Sequence, residues 1–412
     1  MTSSLVVTAR DVCGSDAVTV DDGFSVGGVM ASVIVAPATI DQLSALLRRT
    51  GPDIAVVATG GRTKVQTGLA PERLDLVIST ARLDRMVQHD PGDLVVRVQA
   101  GTRLDALQAA LAPHGQQLAL EALRPEATVG GVVATNETGP RRHRYGSARD
   151  VLIGATMVLA DGTVARTGGK VVKNVAGYDL AKLMVGSYGT LAVLAEVNFR
   201  LHPLAEHRRV VVTPVTIAEL PALLVAHRTS TLEPAALELV LEAPGGDAHL
   251  VVVFEGPEPS VDAQAALAAG RHPRSQVLDA VPAALDVHPC PERHVGLRVV
   301  VEPAATMAAL DALARTGMPG RIAGRAAVGI FDANLDPGSL DAPALAVTLD
   351  RLRRDVAPFD GSVVVTDLPA SLQSGLDVWG PVAAPTLALM RAVKHRFDPD
   401  RRLSPGRFVG GI

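Results

Sequence analysis

The sequence predicts an α+β fold: a Gly-rich first domain in which a small β-α-β unit leads into an antiparallel region, a ferredoxin-like α+β cap domain, and a C-terminal segment of its own texture. Three observations predict it. A chain of 412 residues exceeds the usual size of one domain. Residues up to 203 place Gly-rich turns between short apolar runs, whereas 204–375 alternate strand-like and helix-like segments with few special turns. From 376 the Trp, Pro and Gly punctuation returns. The expected domains are therefore 1–203, 204–375 and 376–412.

In chain order, Val33 to Val35 reads as a strand, and Thr39 to Arg49 as a helix with Ile40, Leu43, Leu46 and Leu47 on one face. Ile54 to Ala58 reads as a buried strand, which completes a β-α-β start. Val151 to Ala160 and Thr163 to Thr167 are strands joined at Asp161-Gly162, a pair that suits a type I′ hairpin turn. Leu180 to Val185 is a short helix capped by Asp179 and stopped at Gly186. Leu191 to Leu201 is a further strand. In the second zone Val210 to Val215, a helix near Ile217 to His227, Leu237 to Leu241 and Leu250 to Phe254 give β-α-β-β. Gly296 to Val301, a helix near Ala305 to Arg315, Arg321 to Val328 and Val363 to Val365 repeat that order, as expected of a ferredoxin-like antiparallel sheet. Near the C-terminus Leu387, Met390, Val393 and Phe397 form an apolar stripe of core type.

Composition excludes several classes. Apolar residues make up 48% and charged ones 20%, too apolar for a disordered chain. Aromatics are only 3%, so the core must rest on Val, Ala and Leu. The formal charge is −4, from 39 basic and 43 acidic residues, with no electrostatic case for a nucleic-acid partner. Cys13 and Cys290 cannot form a disulfide framework and suit a reducing compartment. No signal peptide is expected, because Met1 to Ala9 lacks a basic start and Arg10-Asp11 interrupts the apolar stretch. No apolar run approaches the roughly 20 residues of a membrane span. A cytoplasmic protein is expected.

No phosphate loop of the G-x-x-x-x-G-K-[ST] type, no H-E-x-x-H and no C-x-x-C occurs, so neither nucleotide hydrolysis nor a metal site is expected. Gly186-Ser187-Tyr188-Gly189 lacks the first glycine of a nucleophile elbow, where Val185 stands. Thr59-Gly60-Gly61-Arg62-Thr63-Lys64 follows a strand and can bend its backbone around an anion. It does not run into a helix, so it is not a Rossmann fingerprint. Ala127 to Gly139 is a second stretch of small residues, as expected where a flat ligand lies on backbone. Arg141, Arg142, Arg144 and Tyr145 follow. A third element runs from Lys173 to Leu180, with Gly186 to Thr190 behind it.

The order and wording of these stretches resemble the FAD-binding domain of the vanillyl-alcohol oxidase (PCMH) type, and within it the FAD-binding E subunits of bacterial glycolate oxidases. The likeness is carried by the Thr59–Lys64 loop, by ATVGGVVATNETGPRRHRYGSARDVLIGATMVLADG, by GGKVVKNVAGYDLAKLMVGSYGTLAVLAEVNFRLHP and by the ending DVWGPVAAPTLALMRAVKHRFDPDRRLSPGRFVGGI. It covers about residues 30–203 and 376–412. The resemblance implies that Thr59, Gly60, Gly61, Arg62, Thr63 and Lys64 cradle the FAD pyrophosphate. It places Thr128, Gly130, Gly131, Thr135, Asn136 and Gly139 on the flavin–ribityl side, Glu196 or Val197 near the adenine half, and Tyr145 with the cofactor-binding residues. Pro405-Gly406-Arg407 would fold back towards the flavin. Covalently flavinylated relatives carry a His in the first loop or a Cys in a later one; this sequence has neither there, which implies non-covalent FAD.

By the same resemblance the chain is the FAD-binding subunit of a glycolate or other 2-hydroxy acid dehydrogenase complex. It would work beside a second flavoprotein subunit and an iron–sulfur subunit, in the cytoplasm or at the inner membrane face through those partners. The sequence departs from the partner subunit and D-lactate dehydrogenases in lacking an H-x-G-D-G-N-type segment; Gly245 to His249 is the nearest fragment. A self-sufficient dehydrogenase of a hydroxy acid or sugar alcohol, and a non-catalytic flavin scaffold, stay open. Oxidising a 2-hydroxy acid requires a carboxylate anchor and a base. Arg141, Arg142 and Arg144 are candidate anchors through their bidentate forks, and His143 and Tyr178 are candidate bases. A basic run of this kind is more often a solvated turn or a subunit contact. His288, beside Cys290 in a Pro-rich loop, reads as structural.

Overall fold

A computed structural model describes residues 2–20, 22–169, 179–286, 289–373 and 375–412. The chain divides into two compact units. The first comprises Met1–Thr138, Ser147–Leu204 and Pro381–Ile412; the second comprises Gly139–Gly146 and Ala205–Gly380. The octapeptide from Gly139 thus packs with the second unit although it lies inside the first in sequence.

The first unit holds two sheets. One runs Val18–Val20, Val33–Val35, Leu76–Ser79, Val56–Thr59, with its last three strands parallel. The helix Ile40–Thr50 crosses between two of them, started by the Thr39 hydroxyl, which accepts from the Gln42 N–H, and ended at Gly51 with φ 78°. Its Leu43, Leu46 and Leu47 are fully buried. The other sheet is antiparallel, in the order Val164–Gly168, Leu152–Val158, Val193–Arg200, Val95–Gln99, Met86–Asp90. Val158, Val193 and Ala195 from it join Val33, Val56 and Ile78 from the first sheet in one core cluster. The turn at Asp161-Gly162 is not type I′. Only Gly162 takes a left-handed φ, of 85°, while the Asp161 carboxylate accepts from Thr163 N–H. Leu159 N–H bonds Thr163 C=O across a three-residue loop, the geometry of a turn closed by a glycine bulge.

The second unit is a doubled ferredoxin-like fold. One half is His207–Val215, helix Leu220–Arg228, Ala236–Leu241, Ala248–Gly256, helix Glu258–Ala269, Gln276–Leu278. The other is Val295–Val300, helix Thr306–Ala314, Gly320–Arg325, Ile330–Leu335, helix Ala342–Val356, Ser362–Asp367. Ala236–Leu241 and Gly320–Arg325 pair antiparallel and fuse the halves into one eight-stranded sheet. The sequence reading anticipates the first four elements of the first half, and the first three and the last of the second, but not the strands Gln276–Leu278 and Ile330–Leu335 nor the helices Glu258–Ala269 and Ala342–Val356. The buried face of Glu258–Ala269 is Val261, Ala265 and Ala268, and alanines leave no hydrophobic stripe to read.

Two further expectations change. The helix after the undescribed residues 170–178 is Ala181–Met184, with Leu180 rather than Asp179 at its N-cap; Asp179 instead pairs with Lys182 at 3.6 Å. On the helix Ala384–Phe397 the stripe Leu387, Met390, Val393 and Phe397 is only half-buried, and the buried residue is Lys394. Its Nζ donates to Asp398 Oδ2 at 2.6 Å and to the carbonyls of Thr190 and Leu403, both at 2.8 Å. Asp398, fully buried, accepts from the N–H groups of Arg402 and Leu403 at 3.0 and 2.7 Å. Arg402 donates to the carbonyls of Ile54, Leu47 and Ala160. The C-terminal segment is thereby stitched to the first sheet, where Leu403 bridges Val56 in parallel.

Removing one member of a buried ion pair leaves the other charge uncompensated. Lys394→Met should therefore lower stability by about 3–5 kcal/mol in chemical denaturation; a loss under about 1 kcal/mol would mean the pair contributes little. A second outcome concerns pH. Burial, with Arg271 nearby, pulls the His227 imidazole down to about 4 from 6.5. The unfolded chain then binds that proton more readily, so stability is lost as pH falls from about 6.5 towards 4. His227→Gln should flatten the stability–pH curve across that window, and an unchanged slope would assign the acid sensitivity elsewhere.

Candidate functional site

A cavity in the first unit gathers three segments that are far apart in sequence. It is lined by Ala58 to Val65, by Thr128, Gly130, Gly131, Ala134 and Thr135, and by Ser187 to Gly189, with Thr80, Ala100, Ala192 to Leu194 and Arg407 completing the wall.

The first loop lies directly on the second. A Cβ added at Gly61 would fall 1.7 Å from the Glu126 carbonyl oxygen, and one at Gly60 would fall 2.0 Å from Thr128 Oγ1. These glycines are required by close backbone approach, since neither takes a left-handed φ. Thr128 also caps the helix Val129–Thr135, accepting from Gly131 N–H at 3.3 Å. Gly130 sits against Ala100, where a Cβ would come within 2.7 Å of the alanine Cβ. The third segment hangs on the end of the same helix: Gly186 N–H bonds Val133 C=O at 3.0 Å, and Tyr188 N–H bonds Ala134 C=O at 2.9 Å. The Tyr188 ring stacks on Phe408 at 5.6 Å. Arg62 and Tyr188 hold φ of 60° and 52°, a region side chains rarely adopt.

The polar groups of the wall suit a large anionic ligand. Arg62, Lys64 and Arg407 bring positive charge. Burial pushes the Arg407 guanidinium down to about 10, which leaves it protonated at neutral pH, and it donates to the carbonyls of Val65, Thr67 and Leu69 at 2.5, 2.8 and 3.4 Å. The Thr59 hydroxyl is buried in the wall with no hydrogen-bond partner of its own, and such a group is costly unless a ligand satisfies it. Ser187 donates its hydroxyl to Met184 C=O at 2.9 Å, so it is bound to backbone and not to a base.

Of the residues expected at a cofactor site, Thr59 to Lys64, Thr128, Gly130, Gly131 and Thr135 line this cavity, as does Arg407. Asn136 ends the helix Val129–Thr135 with φ 51°, beside the wall, and its buried Oδ1 has no partner. Gly139 and Tyr145 belong to the second unit. There Gly139 C=O accepts from Arg325 at 3.1 Å and the Tyr145 hydroxyl bonds Glu255 at 3.2 Å. Glu196 and Val197 sit mid-strand, opposite Gln99 and Val98; Val197 is core, and the cavity takes Val193 and Leu194 from that strand instead. Sequence reasoning passes over Ala58, Thr80 and Ala100. No sequence signal marks them; in the structure Gly101 packs on one of them, where its Cβ would strike the Thr80 carbonyl oxygen at 1.8 Å.

The basic run is tied within its own unit. Arg141 pairs with Glu255 at 3.2 Å, Arg144 donates to the Glu255 carbonyl at 2.7 Å, and both guanidiniums lie over the Tyr145 ring. Burial lowers the His143 imidazole, which keeps it neutral near pH 7. Tyr178, most of the Lys173–Leu180 stretch and His288 lie outside the described residues. Among the described residues, His207, Glu258 and Asp262 bring three ligand-type atoms within 4.8 Å of one another, but Asp262 already pairs with Arg209 at 2.9 Å.

Residues 31–168 match the family model described as "FAD binding domain", and the glycine contacts, the three cations and the orphaned Thr59 hydroxyl fit that cofactor. The first unit contains an FAD-binding domain. The chain is 32% identical over 239 residues to a D-lactate dehydrogenase of Archaeoglobus fulgidus, covering 54% of each chain. It is 47% identical over 120 residues to the glycolate oxidase subunit GlcE of Escherichia coli, covering 29% of this chain and 34% of that one. The chain spans about half the length of the first of these relatives, and less of the second. A solved structure of alkyldihydroxyacetonephosphate synthase shares the fold, with a TM-score of 0.71 at 16% identity over 98% of this chain and 84% of that one.

Because the Gly61 Cα faces the Glu126 carbonyl, even one added carbon must push the two loops apart. Gly61→Ala should purify with little or no flavin while its far-ultraviolet circular dichroism stays near that of the unaltered protein. Full flavin occupancy would show that the loop contact does not shape the cofactor site.

Proposed function

We propose that the protein is an FAD-dependent oxidoreductase of the 2-hydroxy acid dehydrogenase type, and that it serves as the FAD-binding subunit of a glycolate oxidase-like complex. The observation that carries the reading is the wall of the cavity: two glycine loops in backbone contact, three cations around them, and a match to an FAD-binding domain over the same residues. The relatives named above act in their own names on D-lactate or belong to glycolate oxidase, and both substrates are 2-hydroxy acids.

In this reading Thr59 to Lys64 hold the pyrophosphate by backbone N–H groups and by the charges of Arg62 and Lys64. Thr128, Gly130, Gly131, Thr135 and Asn136 form the floor for the flavin and ribityl chain, and Arg407 keeps the loop end in place. Bound FAD supplies the acceptor for the two electrons that leave the 2-hydroxy acid as it becomes a 2-oxo acid. The hydroxyl proton needs a base. Among the described residues no His or Cys lines the cavity, which supports FAD held without a covalent bond. The match to GlcE, a glycolate oxidase subunit by name, supports the subunit role; the partners in this proposal are a second flavoprotein subunit and an iron–sulfur subunit. The longer match to D-lactate dehydrogenase favours a second reading, a dehydrogenase that acts alone. No helix among the described residues is long and apolar enough to cross a membrane, so a membrane position would come through partners.

Anaerobic mixing of purified protein with glycolate or D-lactate separates the readings, because substrate oxidation bleaches the flavin absorbance without any other acceptor. Bleaching only after the partner subunits are added supports the complex, whereas rapid bleaching by the single chain supports the second reading. No bleaching under either condition, across a panel of 2-hydroxy acids, would contradict the proposed activity. Acid precipitation of the same sample should release the flavin into solution; flavin left on the denatured chain would contradict non-covalent binding.

A further inference from the structure

We propose that the hairpin Ser25–Met30 is a clasp on the cofactor loop and that Gln66 is the positioning residue that closes it. The inference rests on the reading of Thr59 to Lys64 as the FAD cradle. The hairpin precedes residue 31, where the match to the FAD-binding domain begins, and among the described residues none before Ala58 lines the cavity. Its influence on a ligand must therefore pass through the loop.

The strands Ser25–Val26 and Val29–Met30 pair through Gly27 and Gly28, whose φ values of 56° and 81° give the two left-handed residues of a tight hairpin turn. The base of the hairpin is fixed: Val26 is fully buried with Ile34, Val57 and Val77, and Val65 of the loop packs on that cluster. The tip is fixed by a single side chain. The Gln66 amide accepts from Gly27 N–H and donates to Ser25 C=O, both at 2.9 Å. A carboxamide can do both at once; a carboxylate or an aliphatic chain cannot. Four residues earlier the Arg62 guanidinium lies 4.2 Å above the Phe24 ring. Hairpin and loop meet so closely that a Cβ on Gly27 would lie 2.7 Å from Ala70 Cα.

The clasp explains how the loop keeps its shape. Arg62 holds a left-handed backbone, which persists only when surrounding contacts impose it. Arg407 restrains Val65, Thr67 and Leu69 from one direction, and the hairpin restrains Arg62 and Gln66 from another. With the clasp open, Arg62 to Lys64 would sample other conformations, and bound FAD would escape faster.

The test uses purified full-length holoprotein and three variants. Two exposed hydrogen bonds are worth roughly a tenfold effect together, so Gln66→Ala should release FAD about tenfold faster in a fluorescence-recovery assay. Its thermal unfolding midpoint should stay close to that of the unaltered protein. In the apo form, trypsin should cut Gln66→Ala faster after Arg62 and Lys64. Phe24→Leu should also speed release, by a few fold, whereas Phe24→Trp, which keeps a ring under the guanidinium, should not. Unchanged FAD release and unchanged tryptic cleavage in Gln66→Ala would overturn the clasp. Should Gly61→Ala hold FAD as tightly as the unaltered protein, the cradle reading itself fails, and the tryptic rates alone decide whether the hairpin holds the loop.

Discussion

The backbone contact between Gly60-Gly61 and Glu126–Thr128 is the constraint on which the site depends. With 1.7 and 2.0 Å available where Cβ atoms would sit, the two loops tolerate no side chain between them. Everything around the cavity follows from that approach. Thr128 fills the gap beside Gly60 and spends the same oxygen on starting the helix Val129–Thr135. The end of that helix holds Gly186 and Tyr188 through the Val133 and Ala134 carbonyls, and the Tyr188 ring meets Phe408 beside Arg407. Arg407 then returns to the first loop. The wall is a closed circuit of contacts, and apart from the Tyr188–Phe408 ring stack each link is made by backbone or by a side chain that meets backbone.

The C-terminal segment closes the circuit with buried charge. Lys394, Asp398 and Arg402 are nearly or fully excluded from solvent, which is costly unless each finds partners. They find them mostly in backbone groups: the carbonyls of Thr190, Ile54, Leu47 and Ala160 in distant segments, and the Leu403 carbonyl and the Arg402 and Leu403 N–H groups close by. An apolar clamp could bury as much surface but would not specify one register. The arrangement fits a site whose shape matters more than its bulk.

How much of this was legible in the sequence depends on how each element is encoded. Strands of Val and Ile, the helix Ile40–Thr50 and the small-residue loops advertise themselves, because periodicity and glycine spacing are local signals. The cavity segments at Thr59–Lys64 and Thr128–Thr135 were legible for the same reason. Elements built from alanine were not: Glu258–Ala269 has no apolar stripe, and without it the doubled ferredoxin-like order is incomplete. The turn at Asp161-Gly162 shows a different limit, since the Asp161 carboxylate, by accepting from Thr163, selects a longer loop than the dipeptide suggests. Ala58, Thr80 and Ala100 are invisible because their contribution is to be small at a particular place. Gly139 and Tyr145 flank the basic run in sequence and pack with it in the second unit, where Arg325 and Glu255 bind them; partners of that kind are set by tertiary pairing.

The central claim is that the glycine loop and its cations form a cradle for the FAD pyrophosphate. It is tested most directly by titrating the apo-protein with FAD, FMN and riboflavin in a calorimeter at constant salt. If Arg62, Lys64 and the loop amides hold the pyrophosphate, FAD should bind at least a hundredfold more tightly than riboflavin, a difference of about 2.7 kcal/mol, with FMN between them. Equal affinities for FAD and riboflavin would contradict the account, because the cavity would then recognise the isoalloxazine ring without using its loop.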